Sequence, residues 1–370
     1  MNKTLGWFII IAVVALASCS SGNSGRQEDG ADTLQLSYAK LLNIVEYEGY
    51  KVVEIADPWK SGAVLHRYIL TSDLNRPHLP EGTIVKVPIK NAGVFTTVHA
   101  SMMVDMGVED RISGMADVQY VKRKEIKSLI DSKRITDVGS NMSPDIEKII
   151  SLSPEAILLS PFENSGGYGK LDQLGIPIIE CAEYMETSPL ARAEWIKFYG
   201  MLFGMEKEAN KMFADTEARY KALIAEAKNM ASHPKVLIDM PMGNTWYVPG
   251  GESTLGRMIT DAGGRYCFAG DKNSGSVALS LEKVVSQCED ADLWLFRYGG
   301  EERTLADFAA DNSAFTHIKA FKDGNVYGCS TERTTFYEST PFHPDRLLKD
   351  FIAMIHPQTK RTTTYFKKLR

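Results

Sequence analysis

The chain has only 5 cysteines and 7 histidines in 370 residues, and neither type clusters. No C-x-x-C occurs, so neither a zinc ribbon nor a thioredoxin-like redox site is written locally. No H-x-H or H-E-x-x-H occurs, so a zinc or manganese cage is not written locally either. Positive charge is in deficit: 42 Lys and Arg stand against 47 Asp and Glu, for a net −5. That leaves no basic footprint for nucleic acid, and the run Lys122-Arg123-Lys124 reads as a solvated helix face. Phosphate-cradling motifs are missing too. There is no G-x-x-x-x-G-K-[ST], and GGYGK at 166–170 lacks the dinucleotide spacing. GGESTLG at 250–256 fails the G-x-S-x-G nucleophile elbow, because Leu255 stands where the last glycine is required. Enzyme signals in the sequence are therefore few.

Long apolar runs are also absent, with one exception. Lys3 is followed by WFIIIAVVALA at 7–17, which is short for a bilayer span and matches a signal-peptide core. Leu16-Ala17-Ser18-Cys19 resembles the lipobox of bacterial lipoproteins, in which the cysteine is diacylated and becomes the first mature residue. Two acyl chains give anchoring that a single chain does not. Residues 1–18 are thus expected to be a signal peptide. The polar stretch 19–33 has nothing to bury and reads as a tether. Loss of Lys3 takes the net charge to −6. The remaining Cys181, Cys267, Cys288 and Cys329 are far apart, and sequence does not say whether they pair.

What the chain does have is a repeat. Residues 146–160, IEKIISLSPEAILLS, match 281–295, LEKVVSQCEDADLWL, and both read as a short amphipathic helix followed by a buried strand. A fainter echo precedes each copy. Asp105, Gly107 and Gly114 are matched by Asp261, Gly263 and Gly270. Two segments repeated in the same order suggest two lobes built alike. Residues 34–90 read as successive strands, KVVEIAD, LHRYILT and TIVKVPI, and beyond them strands alternate with helices, as in a parallel, doubly wound sheet. Helix starts are expected at Thr96 or Thr97, at Ser143 with Pro144 in the first turn, and at Ser188-Pro189. Gly200 and Gly204 are expected to interrupt the third of these. Residues 206–230 then form an uninterrupted helical pattern, roughly 37 Å long at 1.5 Å per residue, and it reads as a connector between lobes. The last strand is expected at 325–329 and a closing helix at 344–357. The fold expected is α/β, with two Rossmann-like lobes of mainly parallel sheet joined by one long helix. The N-terminal lobe spans 34–204, the connecting helix 205–231, and the C-terminal lobe with its closing helix 232–370.

In open α/β sheets, ligands sit outside the carboxyl ends of the strands. Those ends carry Thr96 and Thr97, Asn164 with Tyr168, Trp246 with Tyr247, and Arg297 with Tyr298. Phe336 and Tyr337 lie in the loop that follows the last strand. Arg297 suits a carboxylate or phosphate, and the aromatics suit a large planar or bulky solute. In each repeat helix the apolar residues lie at i, i+3 and i+4: Ile146, Ile149 and Ile150, then Leu281, Val284 and Val285. Glu147 and Glu282 sit at i+1, about 100° away, and are expected to be exposed.

The chain is similar to substrate-binding proteins of ABC importers of the cobalamin, iron-siderophore and haem kind, over roughly residues 83–356. The resemblance is carried by SMMVDMGVEDRISGMAD, DIEKIISLSPEAILLS, LDQLGIPIIE, FYGMLFGMEKEANKMF and FKDGNVYGC. The family's Pro-Asp appears as Pro154-Glu155 in the first copy and as Glu289-Asp290 in the second. Residues 31–82 and the segment ERTTFYESTPFHPD lie outside the general pattern. The resemblance implies a monomer that holds a large small-molecule ligand between two lobes, tethered to a membrane through Cys19 and facing the periplasm or the extracellular side. It also implies docking onto a permease through one glutamate per lobe, Glu147 and Glu282. An iron complex, siderophore or haem, is the expected ligand, and cobalamin the nearest alternative. A bare metal ion would need converging His and carboxylates. An exported lipoprotein hydrolase would need a converging nucleophile and base.

Overall fold

A computed structural model describes residues 32–163 and 167–370. The signal-peptide, tether and Cys19 expectations therefore fall outside the described residues, except for the tether's last two positions. Asn164 also lies outside them. Two five-stranded, mainly parallel sheets carry the architecture. In the first, Thr136–Asp137, Ile112–Met115, Ala92–Val94, Ala156–Leu159 and Ile178–Glu180 lie side by side, all parallel. In the second the order is Arg265–Tyr266, Lys235–Ile238, Leu293–Tyr298, Val326–Ser330 and Lys367–Lys368. Four strands occupy equivalent places in both. The two sheets differ in the fifth strand, which joins opposite edges and is antiparallel in the second lobe. That final strand corrects the expectation that the strands end at 329.

The repeated segments fall on equivalent elements. Helices Ile146–Leu152 and Leu281–Cys288 each lead into a strand, Ala156–Leu159 and Leu293–Tyr298, beside the first strand of its sheet. Helices Thr97–Asp105 and Thr254–Asp261 are likewise equivalent. Each is followed by a glycine with positive φ, Gly107 at 71° and Gly263 at 80°, a conformation that side chains with a Cβ resist. Thr96 caps the first helix by accepting the His99 N–H, and Ser253 caps the second by accepting the Gly256 N–H.

The connector is the helix Glu206–Ala227, 22 residues and about 33 Å long. Before it, Ser188 caps Pro189–Glu194, and Ile196–Phe203 ends at Gly204 in the left-handed region. Gly200 does not interrupt this helix. A Cβ there would meet Ala209 of the connector, so glycine allows two helices to approach closely.

Residues 32–86 form a separate five-stranded sheet that is antiparallel except for its last pair. Its inward residues Ile44, Val53, Tyr68 and Val85 share one core with Trp195, Phe198 and Phe203, so it is built into the first lobe. Two carboxylates fasten its entry. Glu194 accepts the N–H groups of Ser37, Tyr38 and Ala39, and Glu186 accepts those of Lys40 and Leu41. His66 ties the sheet to the lobe by bridging Thr83 at 2.8 Å and Glu180 at 3.0 Å.

Candidate inter-lobe site

A cleft of about 170 Å³ lies between the lobes, smaller than the usual small-molecule site of about 300–1,000 Å³. Val98 and Arg192 line it from the first lobe; Leu255, Met258, Arg297 and Tyr337 are among the residues lining it from the second. Val98 and Leu255 stand in the first turns of the two equivalent helices, so the structural repeat places matching helix starts at opposite walls.

Arg297, Phe336 and Tyr337 are brought together here, as their strand-end positions suggest. The guanidinium lies 5.6 Å from the Phe336 ring centre and 5.8 Å from that of Tyr337. It is not free, however. Its Nε and Nη2 donate to Asp239 at 2.9 and 2.6 Å, a bidentate pair within one lobe. Burial opposes the charge of Arg297, but Asp239 outweighs it and holds the group above its ordinary value. Thr96 and Thr97 precede Val98 but do not line the cavity, and the Thr96 hydroxyl is engaged with His99.

Four more expected site residues do not line this cavity. Trp246 is wholly buried and packs on Trp294 and Phe315. Its strand, Thr245–Pro249, belongs to a small antiparallel sheet with Pro241–Met242 and Ser276–Ser280, so its end does not mark the cleft. Tyr247 alternates to the outer face of that strand and is exposed. Tyr298 packs edge-on against Phe296 and Phe308. Tyr168 donates to Glu180 on the first lobe. The glycines of GGESTLG serve packing: a Cβ at Gly250 or Gly251 would run into the backbone carbonyls of Asn273 and Asp271.

Sequence reasoning missed Arg192. It stands in the helix Pro189–Glu194 and lines the cavity. Its Nε is sealed from water and has no hydrogen-bond partner, and no carboxylate pairs with it among the described residues. Burial pulls its guanidinium below the ordinary value, against a weaker opposing effect from Glu183 and Tyr199. Glu183 is itself committed. It lies 3.3 Å from buried His99 and accepts from Tyr199 at 2.8 Å. Burial opposes the charge on His99, but Cys181 and Glu183 outweigh it and raise the group to about 10. Only the register of a short helix, set by the Ser188 cap, turns Arg192 to the cleft, and nothing in its local sequence marks it.

One side of the cavity is held by charges that cross between lobes. Asp105 of the first lobe meets His343 of the second at 2.8 Å and Arg123 of its own lobe at 3.0 Å. Burial pushes the Asp105 carboxyl up, but His343 and Arg123 outweigh it and hold it below the ordinary range. Glu338 accepts the N–H of Lys122 at 2.7 Å and of Arg123 at 3.3 Å. Those N–H groups open the helix Lys124–Asp131, whose N-cap Arg123 supplies no side-chain bond of its own, so the opposite lobe caps it. Lys122 also reaches Glu332 at 2.9 Å. The strap 332–345 is the segment ERTTFYESTPFHPD.

Glu147 and Glu282 are both exposed in the first turns of the repeat helices. The first helix starts differently from expectation. Asp145 is its N-cap and accepts the Lys148 N–H, while Ser143 and Pro144 pair as a short strand with 139–140. Ser280 accepts the Lys283 N–H in the same way, so both caps place the glutamate second in its helix. Ile150 is exposed and is not part of the buried stripe, because Ile149 alone fills the core position. Cys181, Cys267, Cys288 and Cys329 are free thiols in the structure.

The periplasmic binding protein family model matches residues 95–332. The chain belongs to that family. An uncharacterized lipoprotein of Methanocaldococcus jannaschii is 27% identical over 360 residues, covering 90% of this chain and 85% of the relative. The Fe(3+)-citrate-binding protein of Bacillus subtilis is 24% identical over 264 residues, covering 69% of this chain and 76% of the relative. A solved ABC transporter substrate-binding protein from Listeria monocytogenes has the same fold, with a TM-score of 0.57 at 19% identity, covering 72% of this chain and 99% of that one. The residues before 95, with the added sheet, lie outside the family match.

Proposed function

We propose that this family member is the substrate-binding lipoprotein of an ABC importer that captures an iron complex, a siderophore or haem, and delivers it to a membrane permease. The observation that carries this is the inter-lobe cleft, with an aromatic wall at Phe336 and Tyr337 and guanidinium groups on both sides. A large, flat or bulky anionic chelate matches that lining. The Fe(3+)-citrate-binding relative points to the same ligand class. Export and anchoring through Cys19 rest on the lipobox-like Leu16-Ala17-Ser18-Cys19 and on the lipoprotein relative. The carrier works as a monomer and leaves its ligand unchanged.

Glu147 and Glu282 dock the loaded protein, one contact per lobe. Both are exposed at the same place in equivalent helices. A dipole role would account for an acid in either first turn, but not for its repetition in both lobes. Replacing both by alanine is expected to abolish uptake in cells while ligand affinity in vitro stays unchanged; intact uptake would refute the docking role.

The ligand is tested by fluorescence quenching and thermal shift with ferric siderophores, ferric citrate, haemin and cobalamins. Binding of a cobalamin alone would move the assignment to the alternative within the same importer type. A response to a free divalent ion alone would favour a bare-metal carrier, although no three His, Cys, Asp or Glu side chains converge among the described residues. Turnover of an ester panel would favour a hydrolase. Ser253, the serine of the elbow-like motif, is instead bonded to Gly250 O and Gly256 N.

A further inference from the structure

We infer that Arg192 is the anchor for an anionic group of the ligand, and that its unpaired charge selects acidic chelates over neutral ones. The inference rests on the binding-protein reading above and narrows the ligand class. Three observations carry it. Arg192 lines the inter-lobe cavity. Its Nε is buried without a partner. The other cavity guanidinium, that of Arg297, already has its charge paired with Asp239 through two bonds.

Arg192 is partly buried, and its desolvation is a cost to the fold that no ion pair within the chain offsets. The nearby carboxylate, Glu183, offsets that cost only in part. Glu183 is held by His99 and Tyr199 and makes no ion pair with Arg192. Its neighbour Glu194, on the same helix, is consumed by the N–H groups of residues 37–39 and by Lys197. The chain thus spends its local carboxylates elsewhere and leaves one planar donor set directed at the cavity. A guanidinium matches a carboxylate in two parallel bonds. Phe336 and Tyr337 supply flat contact area for the remainder of the chelate. The ligand class is therefore a metal chelate bearing at least one free or outward-facing carboxylate or comparable anionic oxygen.

The test compares the wild type with Arg192→Gln and Arg192→Lys. The probes are ferric citrate and haemin as anionic chelates, and ferrioxamine B and cyanocobalamin as chelates without net negative charge. The wild type is expected to bind an anionic probe, and Arg192→Gln to weaken that binding roughly 10- to 100-fold. Arg192→Lys should fall between them, because it keeps the charge and loses the fork. Equal affinity of Arg192→Gln and wild type for the anionic probe overturns the inference. So does preferential binding of a neutral probe, and that outcome leaves the importer reading standing.

Two ligand-independent measurements keep the inference testable if no iron probe binds. Iron-free citrate should raise the melting temperature of the wild type and not that of Arg192→Gln; equal responses refute the anchor. Without any anion, Arg192→Gln should melt at or above the wild-type temperature, since it removes an unpaired, partly buried charge. A clear fall would mean that Arg192 supports the fold, and would also refute the anchor.

Discussion

Arg297 and Arg192 face one cavity from opposite lobes, yet only Arg297 has a carboxylate. Arg297 belongs to a strand end where Asp239, on the adjacent strand's end, lies in register to receive it. Arg192 belongs to a short helix whose acids point elsewhere. The same side-chain type therefore does two jobs. Where the fold supplies a counter-charge, arginine stiffens a wall and presents its flat face under two aromatic rings. Where the fold withholds one, arginine remains available to a solute. The strap repeats the first pattern: Asp105, Arg123 and His343 satisfy one another across the lobes.

The comparison can be broken or sharpened by substitution. The largest effect is expected at Trp246, which the structure assigns to the core and not to the cavity. Trp246→Ala should cost about 3–5 kcal/mol of unfolding free energy in a denaturant titration. Ligand affinity of the folded variant should stay near the wild-type value; a selective loss of affinity would return Trp246 to the site.

Next is the paired arginine. Asp239 has φ 61°, a conformation that asparagine tolerates. Asp239→Asn therefore removes charge with little backbone penalty and strands Arg297. Unfolding free energy should drop by about 2–3 kcal/mol, and binding of an anionic probe should tighten as a second guanidinium becomes available. Unchanged stability would show that the pair is not a structural device.

At the strap, Glu338→Gln keeps the shape and weakens the cap on the helix Lys124–Asp131. A loss of about 1 kcal/mol is expected, with faster hydrogen exchange at Lys122 and Arg123. Unchanged exchange there would dismiss the inter-lobe cap.

The last test is a pH slope. His99 is raised in the folded protein to about 10, above its unfolded value of about 6.5. Its contribution is then complete below about pH 6.5 and is lost as pH rises toward 10. Melting temperature should fall across that interval, and His99→Gln should flatten the fall. The same slope in both proteins would assign it to other groups.

Much of the fold was legible. The repeat announced equivalent lobes because each copy carries an amphipathic helix and a buried strand in the same order, and the four shared strands keep that order in both sheets. Ser188-Pro189 and Thr96 marked helix starts because caps act locally. Ser143-Pro144 misled, since Asp145 also caps and the competing hairpin with 139–140 draws the first two residues away.

The site was half legible. Phe336, Tyr337 and Arg297 follow strands of the parallel sheet, and the strand-end rule finds them. Trp246 and Tyr247 follow the same local pattern, but their strand joins a different sheet, and pairing between distant segments is not encoded in either segment alone.

The sequence by itself determined the two-lobed plan, the connector and the exposed Glu147 and Glu282, because periodicity and capping depend on neighbours within a few residues. Only the tertiary structure decided which charges are spent and which are free. Asp239 lies 58 residues from Arg297, and His343 lies 238 from Asp105. Whether a charge is paired depends on partners that the chain brings together only when folded, and that is why Arg192 became visible last.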